Sequence, residues 1–318
     1  MILKEITIDE YSALAYANVG VFGSKEWLSI YDKVTCVGIF VNETQLVGGF
    51  YYLKTKKFGL DFIKTPPYSP HTGLFFINES KNQSSKNNTT KDVLGEVCNY
   101  ISQQKAGINV LSFPPQITDM QVFFWDKYKV VPHYTYQIDL SLKMEEITAN
   151  FDSKNRNKIN KAVKEGVVVE ENSLNGEELF KFFHSTLGST GANMYEDVLK
   201  GVLTKFPNGT NSFSLTAKHN NVVIGNVFCI YDKHNCYYIL GGVNKDSGVP
   251  GVNNLLLQKS IEKAKQLGCK IYDFEGSIIK GVEVFFRGFG GKLVPYYSIN
   301  KANLFIEMLL KLKKRETF

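Results

Sequence analysis

Apolar residues recur at three- and four-residue spacing through Val93, Leu94, Val97 and Ile101, which predicts a helix over 90–105. The stripe Leu256, Leu257, Ile261, Ala264 and Leu267 predicts another over 253–267, closed by Gly268. Shorter helical patterns cover 24–32, which carries Trp27, as well as 177–187 and 195–205. Strand-like runs fall into two hairpins. One joins 35–41 to 46–56 across Asn42-Glu43-Thr44-Gln45, and the other joins 213–219 to 222–231 at Asn220-Asn221. Further strands are expected at 108–113, 134–140, 167–171, 236–243, 269–274 and 292–299. Prolines punctuate 65–73, and 78–91 is polar enough to predict a mobile loop. The segment 143–166 is basic and predicts one long helix ending at Gly166.

This order predicts a mixed α+β chain. Its proposed divisions are an N-terminal domain over 1–142, a second domain over 143–300 led by the basic helix, and an amphipathic basic helix over 301–318. The apolar side of that last helix is Leu304, Phe305, Met308, Leu309 and Leu312, and Lys311, Lys313, Lys314 and Arg315 gather at its end. Docking onto the protein or peripheral contact with a membrane surface would both use that side.

A length of 318 residues suits two domains, and 43% hydrophobic with 21% charged residues describes an ordinary globular chain. A net charge of +6 is compatible with anionic ligands and is far from a polycation. The five cysteines contain no CxxC and fit a reducing compartment. Cys229, His234 and Cys236 have no usual zinc spacing, so no metal is expected. The N-terminus reads as a strand without a signal-peptide core, so a cytoplasmic location is expected.

The candidate chemistry lies near the C-terminus. Ile271-Tyr272-Asp273-Phe274-Glu275-Gly276 ends an apolar run in two carboxylates two positions apart, which share a face if the strand continues through both. Open α/β sheets place ligands at such carboxyl ends. Glu275 and Asp273 are therefore the acid–base candidates, and burial beside Tyr272 and Phe274 would raise either pKa toward neutrality. The alternative for Asp273 is a cap on the following turn. Arg287 follows in Phe285-Phe286-Arg287-Gly288-Phe289-Gly290-Gly291, read as a glycine-rich loop.

Three blocks together resemble the FemAB-like branch of the GNAT acyltransferase superfamily. The stretch from Asn155 to Val167 is similar to R-x-x-I-x-K-A-x-K-x-G-V, Tyr272-Asp273-Phe274-Glu275-Gly276 resembles Y-D-F-x-G, and Phe285 to Gly290 resembles F-K-x-G-F-G. The blocks span roughly half of the chain, with matching spacing. The resemblance implies two tandem GNAT-like domains, each a mostly antiparallel sheet flanked by helices. It implies transfer of an acyl or aminoacyl group to an amine of an anionic, cell-envelope-type acceptor bound between the domains, with acyl-coenzyme A as co-substrate. Coenzyme-binding candidates are Lys245, Gly248, Gly251, Val252 and Asn253, where a helix N-terminus can hold an anion. Acceptor-binding candidates are Arg156, Lys158, Lys161, Arg287, Tyr238 and Tyr297. Two departures stand out. Phe286 occupies the usual lysine position, and Pro250 removes a donor from the phosphate loop. They keep open a binding protein for a nucleotide-sugar or lipid-linked ligand that has lost catalysis. An aminoacyl-tRNA-dependent peptidoglycan bridge transferase also remains open, although no dense basic tract favours tRNA.

Overall fold

The computed structural model describes residues 1–57, 59–188, 194–206, 210–276 and 279–313. The chain runs β1 (Ile2–Ile6), α1 (Ile8–Val19), α2 (Lys25–Leu28), β2 (Val34–Phe40), β3 (Leu46–Lys57), β4 (Leu60–Lys64), β5 (Phe75–Phe76), α3 (Gln83–Gln103), β6 (Ile108–Ser112) and α4 (Gln121–Trp125). It continues through β7 (Lys129–Asp139), α5 (Met144–Ala149), α6 (Ser153–Lys164), β8 (Val168–Glu171), α7 (Gly176–Gly188), α8 (Glu196–Lys205), β9 (Ser212–His219), β10 (Val222–Tyr231) and β11 (Asn235–Val243). The last elements are α9 (Val252–Gln266), β12 (Ile271–Asp273), α10 (Lys280–Arg287), β13 (Lys292–Ala302) and α11 (Leu304–Lys313).

Two compact units result. The first holds Met1–His133 with Pro295–Phe318, and the second holds Tyr134–Val294. These limits lie at 133/134 and 294/295, where the sequence reading placed 142/143 and 300/301. In the first unit the order is β1-β2-β3-β4-β6-β13, antiparallel except for parallel β4 and β6. Its core gathers Val37, Phe50 and Ile63 against Val93, Leu94, Val97 and Ile101 of α3. The second unit orders its strands β8-β9-β10-β11-β12-β7, again antiparallel except for one parallel pair, β11 with β12. Each parallel pair is joined by a helix, α3 or α9, as a parallel connection requires. The expected mixed, mostly antiparallel architecture holds.

Helix α9 buries Leu256, Leu257, Ile261 and Ala264 in the second core, as its stripe predicted, while Leu267 stays exposed. Close approach of α9 to β10 needs Gly225, where a Cβ would lie 2.8 Å from Val252 and 2.9 Å from Leu256.

Three local expectations change. The basic segment is two helices, because Phe151 turns inward onto Phe289 (ring centroids 4.9 Å apart) and Asp152 starts a new helix by accepting from the Asn155 N–H at 2.6 Å. The expected loop at 78–91 is helical from Gln83, capped by Asn82, whose Oδ1 accepts from the Ser85 N–H at 2.9 Å. Its polar residues are the solvated first turns of a helix whose apolar stripe begins only at Val93. The expected loop at 285–291 is helix α10 through Arg287, with the chain turning at Gly290 (φ +73°). The tail is helical over Leu304–Lys313, and Lys314 and Arg315 lie outside the described residues.

Candidate active site

The second unit's sheet opens at its parallel pair. Asn235, Cys236 and Tyr237 pair with Ile271, Tyr272 and Asp273, and β12 then ends while β11 runs on to Val243. A bulge sits at the same place: Cys229 pairs with Tyr238 but Phe228 pairs with Leu240, leaving Ile239 as the extra residue. An extra residue bends its strand and interrupts the ladder. The two strands therefore fork immediately beside Asp273.

Asp273 is buried and fully engaged. It accepts from Thr135 Oγ1 at 2.5 Å, Gln137 Nε2 at 2.7 Å and the Glu275 N–H at 2.8 Å. Burial pushes its carboxyl up from the ordinary range, and the three hydrogen bonds oppose that rise. Thr135 and Gln137 are alternate residues of β7, so they share the face toward Asp273. No sequence signal singled them out, because the antiparallel register Gln137↔Asp273 forms across 136 residues of chain. The arrangement is a turn cap, the alternative reading of Asp273.

Glu275 differs. The strand stops two residues earlier, so the shared-face argument does not reach it. It sits in the left-handed region at φ +60°, uncommon for a residue with a side chain, and Gly276 follows at φ +71°. A Cβ on Gly276 would come 2.3 Å from the Tyr134 carbonyl, so only glycine lets the turn pack there. The Glu275 carboxyl is partly buried and receives no hydrogen bond among the described residues. Burial first, and the neighbouring Asp273 second, push its pKa well above the usual range. A carboxyl with no donor among the described residues, held by strained backbone at a forked sheet and with a raised pKa, is suited to accept a proton.

Helix α9, which follows β11, begins with no side-chain cap and no acidic residue in its first turn. Gly248 (φ +65°) and Gly251 (φ +79°) take left-handed turns ahead of it. A Cβ on Gly251 would lie 2.0 Å from the Lys158 carbonyl, which fixes α6 against this loop. Val252 points its side chain into the core, so its contribution to a ligand is confined to the backbone N–H. The Asn253 Oδ1 is buried without a partner among the described residues. Lys158 and Lys161 are exposed on α6 and make no ion pair among the described residues, and Lys245 is exposed before α9. An uncapped helix start with lysines around it suits a diphosphate. Arg156 is committed elsewhere, because its guanidinium donates to the Ala149 and Phe151 carbonyls at the end of α5.

Phe286, at the position where the resemblance expects lysine, is buried against Phe274 (5.0 Å), Tyr238 (5.5 Å) and Phe285 (5.7 Å). Arg287 is one residue on, hence about 100° around the helix. It is exposed, with its Nε 3.5 Å from Glu283 Oε1, and Tyr136 donates to that same oxygen at 2.7 Å. Arg287 thus does not reach the position Phe286 occupies. Tyr238 is partly buried, with burial raising its phenol, and its hydroxyl rests on Gly241. Tyr297 belongs to the first unit and packs on that unit's core. Among the described residues no group of His, Cys, Asp or Glu has the geometry to hold a metal ion, and no helix is long and apolar enough to cross a membrane.

The forked parallel pair and the helix that starts without a side-chain cap accompany a family match that supports an acyltransferase. Residues 151–287 match the family model described as an acetyltransferase (GNAT) domain, so this part of the chain is a GNAT domain. No curated protein sequence matches significantly. Among solved structures, the fold resembles FemX over 98% of this chain and 99% of that one (13% identity, TM-score 0.65). It also resembles L-PGS from Bacillus licheniformis over 98% of each chain (13% identity, TM-score 0.58). A tandem GNAT protein of clavulanic acid biosynthesis matches over 94% of this chain and 98% of its own (7% identity, TM-score 0.54). The family match and the shared fold agree with the FemAB-like reading of the sequence.

Proposed function

We propose that the second unit transfers an acyl group from a coenzyme A thioester to a primary amine, with Glu275 as the general base. The observation that carries the proposal is Glu275 itself, whose carboxyl has a raised pKa and accepts no hydrogen bond among the described residues. The coenzyme would supply the acyl group as a thioester, and the N–H groups at the start of α9, with Lys245, Lys158 and Lys161 around them, suit its diphosphate. Glu275 takes a proton from the acceptor's ammonium, either directly or through one water. The neutral amine then forms the C–N bond as the C–S bond breaks, and the coenzyme leaves as its thiol. Asp273 holds the turn that presents Glu275, and its negative charge keeps the base's affinity for a proton high.

An aminoacyl-tRNA donor is a second reading, favoured by the whole-chain fold shared with FemX. The acceptor in either case is read as an anionic, envelope-type amine, with the exposed Arg287 as a candidate contact. Thiol release from acetyl-coenzyme A with a panel of amines, beside transfer from charged tRNA, tests the donor. Turnover with the thioester that falls at least a hundredfold in Glu275→Gln supports the proposal. Turnover only with charged tRNA would replace the donor, and unchanged turnover in Glu275→Gln would remove the base.

A further inference from the structure

Helix α11 presents its apolar side outward. Leu304, Phe305, Met308, Leu309 and Leu312 are between 52% and 85% exposed, whereas Ile306 and Leu310 are partly covered. At 100° per residue the five exposed positions fall within one 140° arc, and the two covered ones lie on the other side. Five large apolar side chains on one short arc are far from the scattered exposure usual at a protein surface.

A second exposed apolar pair stands at the root of this helix. Phe124 and Trp125, at the end of α4, are 69% and 63% exposed. Their sequence neighbour Asp126 accepts from Lys301 Nζ through both its carbonyl (2.7 Å) and its carboxylate (3.0 Å), and α11 begins three residues after Lys301. Both apolar elements belong to the same unit.

The surrounding charge is basic. Asp126 is paired with Lys301, and Glu307 with Lys311 at 2.7 Å, so the nearby acids are neutralised. Lys127 is exposed beside Trp125, and the sequence after Leu312 reads Lys313-Lys314-Arg315-Glu316, three cations to one acid. An apolar arc carrying aromatic side chains beside surplus cations complements an anionic lipid bilayer, where rings enter the interface and cations meet headgroups.

We infer that α11, with Phe124 and Trp125, docks the protein on the surface of an anionic membrane. This surface is separate from the residues proposed for acyl transfer, and its test reads no activity. The full chain is sedimented with vesicles of phosphatidylcholine alone, and with an equimolar mixture of phosphatidylcholine and phosphatidylglycerol. Trp27 is fully buried, so any blue shift in tryptophan emission on binding reports Trp125. Binding to the mixed vesicles is expected to exceed binding to the neutral ones by about tenfold or more, to weaken with salt, and to carry the blue shift. The variant Phe305→Asp/Leu309→Asp, at exposed positions, keeps its circular dichroism melt and loses about tenfold or more of this binding. Absence of binding to the mixed vesicles, undiminished binding by the variant, or a wild-type dimer that the variant dissociates in light scattering would each overturn the inference.

Discussion

Glu275→Gln separates a poised base from an incidental carboxylate. Glutamine keeps the volume and the strained backbone but cannot ionise, so the difference between the two proteins isolates one proton. The ordinary value for the group is 4.5, and burial beside Asp273 raises it well above that in the folded state. Between the two values the folded protein holds a proton that the unfolded chain has released. The stability contributed by this group is therefore complete below about pH 4.5 and is lost as pH rises toward the folded-state value, with a limiting slope of about 1.4 kcal/mol per pH unit. Glutamine has no such slope, so wild type is expected to lose stability relative to the variant as pH rises from about 4.5 toward the folded-state value. Urea midpoints of both proteins, taken at intervals across that range, read the difference. Wild-type acyl transfer should rise through the same pH window, because only the ionised form accepts a proton, while residual transfer in the variant stays flat. Parallel stability curves would refute the raised pKa and, with it, the physical basis for Glu275 as base.

Removing the cap residue by Asp273→Ala leaves Thr135 and Gln137 without their acceptor, at about 1–3 kcal/mol. It also removes the charge that helps raise Glu275, so the acid limb of the pH–rate profile should move to lower pH. Gly251→Ala places a Cβ 2.0 Å from the Lys158 carbonyl in a left-handed turn, and a loss of more than about 2 kcal/mol is expected in thermal denaturation. Restoring the residue that the resemblance expects, by Phe286→Lys, buries an ammonium among three aromatic rings; urea unfolding should show a loss of about 3–5 kcal/mol with no gain in turnover. Arg287→Ala removes an exposed i,i+4 pair, so stability should change by less than about 0.5 kcal/mol, and a raised KM for anionic acceptors alone would mark a binding role.

Much of the fold was written in local pattern. The stripe of α9, the two hairpins and the strand leading to Asp273 follow from spacing that any isolated window of the chain displays. The capping box that begins α1, in which Thr7 Oγ1 accepts from the Glu10 N–H and the Glu10 carboxylate from the Thr7 N–H, was equally present in the sequence but carries little weight without an apolar stripe beside it. The break at Asp152 was harder to see, because its cause is Phe151 seeking Phe289, a partner 138 residues away.

By itself, the sequence determined the identities of the chemical groups and the order of elements that carries them: the two carboxylates, the glycines ahead of α9 and the basic α6. Local spacing encodes these because each depends on neighbours within a few residues. Tertiary structure alone decided which group does what. It assigned Asp273 to a cap through Thr135 and Gln137, left Glu275 without a donor among the described residues, and turned Phe286 inward and Arg287 outward. Those outcomes depend on strand register and helix rotation, which are set by long-range packing that no local pattern records.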